Sequence, residues 1–239
     1  MSGRASSREN ENPALAADRA LALALVPVSR ETESRLDRFI DLLTTWQKTT
    51  NLVSPAALPE IWTRHVADSL QLFSLAPKAK LWIDLGAGGG FPGIPLACQL
   101  ADGPGAQMHL VESNQKKAAF LREAARLLGI PVTVHARRIE DFTKSFAGHA
   151  DAVTARALAP LVKLLPDAYP LLKAGTKFLF LKGQDVGVEL TEAAKYWTIG
   201  FEMVPSKTGG GQILIVHSLA KKMTRPKNSI WPANGTRHD

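Results

Sequence analysis

The 239-residue sequence predicts an α/β fold: a doubly wound, mostly parallel sheet of seven strands with an antiparallel last strand, preceded by helices. Three observations predict it. Short apolar runs at 81–85, 108–111, 132–135, 151–154 and 177–181 alternate with stretches of helical spacing, as parallel strands with crossover helices require. The first run leads into a glycine-rich loop and then a helix. Finally, 197–204 and 212–218 flank Gly209-Gly210-Gly211 with no helix between them, so they read as an antiparallel hairpin.

Taken in order, residues 1–12 are polar and read as a loose tail, and 13–25 are Ala/Leu-rich and helical up to Pro27. Ser29 or Thr32 can cap the next helix, where Leu36, Phe39, Ile40, Leu43 and Trp46 form an apolar stripe. A second helical segment is expected over 58–74. Within the α/β part, helices are expected near 94–100, 115–128, 160–172 and 188–196. The chain thus divides into a flexible extension (1–28), a helical segment (29–76), the α/β domain (77–219) and a basic tail (220–239). Five parallel strands closed by a hairpin is the Rossmann-like strand plan of class I methyltransferases.

Composition narrows the class of protein. An apolar fraction of 45% and a charged fraction of 21% are ordinary for a globular chain. One cysteine, Cys98, excludes an internal disulfide and a zinc site of the usual spacing, so no metal is expected, and it fits a reducing compartment. The net charge of +7 favours a polyanionic partner. The apolar run 20–26 is too short to span a membrane. It also follows Glu9, Glu11 and Asp18, which argue against a signal peptide. A cytoplasmic chain with no membrane contact, acting as a monomer, is expected.

The loop Gly86-Ala87-Gly88-Gly89-Gly90-Phe91-Pro92-Gly93 lets backbone N–H groups approach a ligand closely. A dinucleotide fingerprint would place its third glycine where Phe91 stands. Asp84, two residues before the loop, suits a cationic sulfonium better than a diphosphate, so the loop favours S-adenosyl-L-methionine. Gly86 and Gly88 would supply the close approach, Phe91 an apolar wall, and Glu112 at the end of the second strand an acceptor for ribose hydroxyls.

With these segments in view, the sequence resembles the bacterial 16S rRNA guanine-N7 methyltransferases, formerly called glucose-inhibited division protein B. The resemblance rests on Arg64-His65-Val66-Ala67-Asp68-Ser69, the stretch 84–95, Leu110-Val111-Glu112-Ser113 and Lys116-Lys117-Ala118-Ala119-Phe120-Leu121. It extends through Arg137-Arg138-Ile139-Glu140, Thr154-Ala155-Arg156-Ala157 and Leu181-Lys182-Gly183, covering about 35–218. It implies cofactor contacts at Gly86, Phe91, Ile139, Glu140 and Arg156, with Ile139-Glu140 beside the adenine. It also implies that the partner is 16S ribosomal RNA or the small ribosomal subunit. The implied target is a guanine, guanine 527, in the conserved loop near the decoding centre. Ala87 departs from the family, which often has Thr or Ser there.

The residues themselves leave several acceptors open. Pyrimidine C5 methylation needs a cysteine nucleophile, and Cys98 reads as a core residue. The Asp/Asn-Pro-Pro-aromatic loop that goes with exocyclic amines is absent after the fourth strand. Guanine N7 has a lone pair and no proton to lose, which suits a site without a general base. Lys182 leaves a ribose 2′-hydroxyl open as an acceptor. A small-molecule methyltransferase, a nicotinamide dehydrogenase and a non-catalytic RNA-binding assembly protein are the remaining rivals.

Four residues are candidates for the chemistry. Arg156 and Lys182 fall at the carboxyl ends of the fourth and fifth strands, where open sheets bind ligands. Arg156 is expected to order the cofactor pocket and to meet RNA phosphate. His65 and Asp68, three apart on an expected helix, either hydrogen-bond to one another or contact the target base. Lys116, Lys117, Arg122, Arg126, Arg137 and Arg138 form one candidate phosphate surface, and Lys221, Lys222, Arg225 and Lys227 another.

Overall fold

A computed structural model describes residues 13–222 of the chain. The expected tail at 1–12, and Arg225 and Lys227 of the basic tail, lie outside the described residues. The parallel strands are β1 (Leu81–Leu85), β2 (Gln107–Val111), β3 (Val132–His135), β4 (Ala152–Arg156) and β5 (Lys177–Lys182). The closing hairpin is β6 (Trp197–Pro205) and β7 (Gln212–Lys221), and the sheet order is β3-β2-β1-β4-β5-β7-β6. The order of strand addition reverses beside β1, with β2 and β3 laid to one side and β4 and β5 to the other, all parallel, and β7 lies antiparallel to β5. This is the seven-stranded sheet expected from the sequence.

Alternation along the strands divides the core in two. Trp82 and Leu179 face one side, which is covered by α1 (Pro13–Leu25), α2 (Arg30–Gln47), α4 (Gly93–Leu100) and α5 (Gln115–Leu128). Ile83, Leu85, Val153, Phe178 and Phe180 face the other, covered by α6 (Ile139–Ser145), α7 (Leu161–Ala168) and α8 (Val186–Ala193). The short helix α6 was not expected, although Ile139 and Phe142 carry a helical spacing. β4 and β5 run one or two residues further than expected, so Arg156 and Lys182 are the last residues of their strands. β7 continues to Lys221, so the expected tail at 220–239 begins inside a strand, held by pairing with Trp197 and Thr198 of β6.

The N-terminal helices belong to the same core as the sheet. Ser29 caps α2 by accepting from Thr32 N, and the stripe Leu36, Phe39, Ile40 and Leu43 is buried. Trp46 and Phe39 meet Phe120 of α5 at 5.7 and 6.1 Å.

Two expectations for this region are corrected. The helix expected over 58–74 is broken into a 3-10 turn (Pro55–Glu60), a π-helical turn (Trp62–Ala67), the short α3 (Asp68–Leu70) and a second 3-10 turn (Gln71–Leu75). Pro59 inside the first turn removes a backbone donor and prevents a regular α-helix there. Residues 13–25, expected to belong to a flexible extension over 1–28, form the anchored helix α1. Asp18 accepts from Trp62 N at 2.8 Å and Thr63 Oγ1 at 2.6 Å, satisfying donors at the start of the π-turn. Arg19 pairs with Asp37 at 2.7 Å and lies 5.2 Å over the Trp62 ring.

Asp18→Ala is expected to destabilise the protein by about 1–3 kcal/mol, since it leaves the N–H of Trp62 and Thr63 without their acceptor. Urea unfolding measures the loss, and faster amide exchange confined to residues 13–25 would identify its source.

Candidate active site

The glycine loop takes its shape from two carboxylates. Asp84 is fully buried at the end of β1; its Oδ2 accepts from Gly93 N at 3.0 Å and its Oδ1 from Thr154 Oγ1 at 3.0 Å. Burial pushes its pKa up to about 7. A Cβ on Gly93 would come within 2.8 Å of Oδ2, so the helix can start this close only with glycine. Glu112, at the end of β2, accepts from Gly88 N at 2.9 Å through Oε2 and from Asn114 N at 2.7 Å through Oε1. Gly86 and Gly88 have φ of +70° and +52°, a left-handed conformation open to glycine.

Around this loop lies a cavity of about 500 Å³. Gly86, Gly88, Phe91, Glu112, Ile139, Glu140 and Arg156, seven of the eight residues singled out for the cofactor, all line it. Asp84 does not: strand alternation turns its side chain under the loop, where Thr154 and Gly93 take it, so it shapes the site from beneath.

A second cavity of about 900 Å³ lies alongside, and Arg156, Ala157, Leu158 and Ala159 line both. Ala157 has φ +47°, a strained backbone for a residue with a Cβ, within this shared wall. The four residues singled out for catalysis, His65, Asp68, Arg156 and Lys182, all line the second cavity.

Arg156 joins the cavities electrostatically. Its guanidinium lies 5.5 Å over the Phe91 ring and contacts His65 Nδ1 at 2.6 Å. Its Nε is buried with no hydrogen-bond partner among the described residues. Burial lowers its pKa from the usual arginine value. The same Nδ1 lies 2.9 Å from the Arg64 carbonyl oxygen, so it meets one group that only donates and one that only accepts. Burial, then the Arg156 charge, bring His65 down to about 4, so the ring is neutral at physiological pH.

His65 and Asp68 are not partners. They stand three apart on a turn that includes π-helix, where hydrogen bonds close over five residues and α-helical neighbours no longer face one another. Asp68 Oδ1 instead accepts from Gln71 Nε2 at 2.7 Å, Ser206 Oγ at 2.6 Å and Thr208 Oγ1 at 3.0 Å, tying α3 to the β6–β7 connection. Lys182 Nζ holds Glu189 at 2.7 Å and the Ala159 carbonyl at 2.8 Å.

The basic side chains divide. Lys117, Arg137 and Arg138 line the first cavity, whereas Arg122 and Arg126 are exposed on α5, with Arg126 paired to Glu123. Cys98 is buried, and burial pushes its thiol up to about 12, as befits a core residue. No group of His, Cys, Asp and Glu among the described residues could hold a metal. No helix among them is long and apolar enough to cross a membrane.

Comparison with known proteins places this geometry. A family model described as GidB, rRNA small subunit methyltransferase G, matches residues 32–212. The chain belongs to this family. Among its members, the ribosomal RNA small subunit methyltransferase G of Bradyrhizobium sp. (strain ORS 278) is 59% identical over 209 residues, 87% of this chain and 94% of that protein. That of Nitrobacter hamburgensis is 55% identical over 225 residues, 94% of this chain and 86% of that one. Solved structures share the fold at low identity. An O-methyltransferase from Bacillus cereus in complex with SAH has a TM-score of 0.57 at 14% identity, covering 85% of this chain and 97% of its own. A putative O-methyltransferase from Klebsiella pneumoniae has a TM-score of 0.55 at 17% identity, covering 84% and 95%. The fold is thus that of the class I methyltransferases.

In this methyltransferase G family member, sequence reasoning missed several residues that line the first cavity, notably Leu158, Lys163 and Asp167. Lys163 and Asp167 lie on α7, four apart and so on one helical face, a signal that becomes readable only once the helix is known to border the site. Leu158 carried no sequence signal; its Cδ1 would lie 2.4 Å from a Cβ on Gly86, so with glycine there Leu158 rests over the loop without having to shift.

The shifted groups set opposing pH dependences. His65 sits near 4 folded and near 6.5 ordinarily, so between those values the unfolded chain binds the proton more readily and acidification costs stability. Asp84 sits near 7 folded and 3.8 ordinarily, so in that window the folded chain keeps a proton and acidification favours the fold. His65→Gln, which keeps an acceptor for Arg156, removes only the first effect. Its stability is expected to fall less than that of the wild type between pH 7 and 4.5, by up to about 3 kcal/mol, measured as urea midpoints across that range.

Proposed function

We propose that this chain transfers a methyl group from S-adenosyl-L-methionine to N7 of a guanine in 16S rRNA, in the cytoplasm and as a monomer. The single observation that carries the reading is the pair of cavities with one common wall at Arg156–Ala159: one has the features a nucleoside cofactor needs, the other has room for a base. The names of the relatives support small-subunit rRNA as the substrate. The family resemblance supports N7 and the guanine of the loop near the decoding centre.

The first cavity fits the cofactor on its own chemistry. Each Glu112 oxygen holds one backbone N–H and keeps a lone pair for ribose hydroxyls. A Cβ on Gly88 would meet nothing nearer than Gly86 O at 3.7 Å, so the glycine leaves open space there. The unpartnered Nε–H of Arg156 suits the carboxylate of the cofactor's amino-acid portion. Ile139 and Glu140 begin α6, where a backbone N–H and an aliphatic side chain can meet the adenine. When bound, the cofactor supplies an electrophilic methyl group on sulfur.

The chain's own part is to position the acceptor and exclude water. Two of the candidates are engaged elsewhere: Lys182 Nζ is held by Glu189 and the Ala159 carbonyl, and His65 has Nδ1 in contact with Arg156. N7 needs no base, so the N7 reading asks only positioning of these side chains.

Mass mapping of small-subunit RNA from cells with and without the protein is expected to find one 7-methylguanine that depends on it; unmodified RNA in both would end the reading. Arg156→Ala is expected to weaken S-adenosylhomocysteine binding by calorimetry on the order of 10–100-fold and to lower turnover with it.

A further inference from the structure

Three carboxylates line the second cavity: Glu60, Asp68 and Glu189. Glu60 is paired with Arg64 at 3.3 Å and Glu189 with Lys182 at 2.7 Å. Asp68 makes no ion pair among the described residues. Its three hydrogen bonds all fall on Oδ1, from Gln71, Ser206 and Thr208, while Oδ2 accepts none among those residues. The holders are fixed in turn. Gln71 is 2% exposed, also donates to Ser206 Oγ at 2.8 Å, and accepts from Lys207 N at 2.9 Å. One oxygen is thus clamped by a preorganised network, and the other is left as a charged acceptor beside a cavity of about 900 Å³.

We infer that the second cavity receives the extruded target base and that Asp68 Oδ2 reads its Watson–Crick edge. Guanine presents two donors there, N1–H and the 2-amino group, to a carboxylate that can only accept. Adenine presents an unprotonated N1, so a carboxylate repels the purine most easily mistaken for the target. N7 lies across the ring system from this edge, so a base gripped through N1 and the 2-amino group leaves N7 unobstructed for the wall shared with the first cavity. The carboxylate thus selects the base while taking no part in the transfer. The inference rests on the functional reading above, and adds to it which group distinguishes guanine.

The test uses the full chain with small-subunit rRNA lacking the modification, in which the wild type first locates the target guanine. Asp68→Asn keeps an oxygen for Gln71, Ser206 and Thr208 and turns the other acceptor into a donor. It is expected to lower kcat/KM for the guanine substrate on the order of 10–100-fold. The preference for guanine over adenine at the target position should shrink as well, with S-adenosylhomocysteine binding and Tm unchanged. A folded D68N protein whose kcat/KM and base preference stay within threefold of wild type would overturn the inference. If D68N does not fold, RNA with inosine at the target decides in the wild type: about a fivefold loss from removing the 2-amino group supports the inference, and no loss overturns it. If the wild type itself leaves the rRNA unmethylated, the functional reading has failed and the base-reading role falls with it.

Discussion

The architecture of this protein turns on a carboxylate placed where water cannot reach it. Asp84 joins three elements at one point: its own strand β1, β4 through Thr154, and the start of α4 through Gly93. A buried carboxyl group is tolerated only with its hydrogen bonds satisfied, and these two partners satisfy one oxygen each. Holding β1, β4 and α4 together fixes the path of the loop between them. It also sets the ground between Glu112 and Arg156, which stand at the ends of β2 and β4 on either side of β1. Every feature of the first cavity inherits its position from that junction.

Around Phe91 a second organisation appears. The ring meets Phe39 edge-on at 5.2 Å, His65 at 5.0 Å and the Arg156 guanidinium at 5.5 Å, so residues from α2, the π-turn, the glycine loop and β4 converge on one aromatic ring. The N-terminal helices are therefore part of the site. A cation over an aromatic ring, with a neutral histidine against it, keeps Arg156 charged and aligned in surroundings that would otherwise disfavour the charge.

Much of this was legible in the sequence, because the period of an apolar run and the position of glycine are local properties. The bounds of β1, β3 and α5 follow from the residues alone, and seven of the eight proposed cofactor residues do line one cavity. The fate of Asp84 was not legible, since which face of β1 meets the ligand is decided by the sheet as a whole. The contacts of His65 with Arg156 and of Asp68 with Ser206 join residues 91 and 138 positions apart, and no spacing rule reaches that far. The short α6 escaped because its N-cap, Arg138, makes no side-chain cap bond, so the usual start signal is missing.

The π-helical turn from Trp62 to Ala67 has an implication for how such a chain can change over time. A π-turn is an α-helix carrying one extra residue, and losing one residue there restores the regular spiral. Such a deletion would be absorbed within the turn, changing which of its side chains face the second cavity. His65 and Asp68 would then exchange their present surroundings for unrelated ones. Length, in this short stretch, matters as much as chemistry.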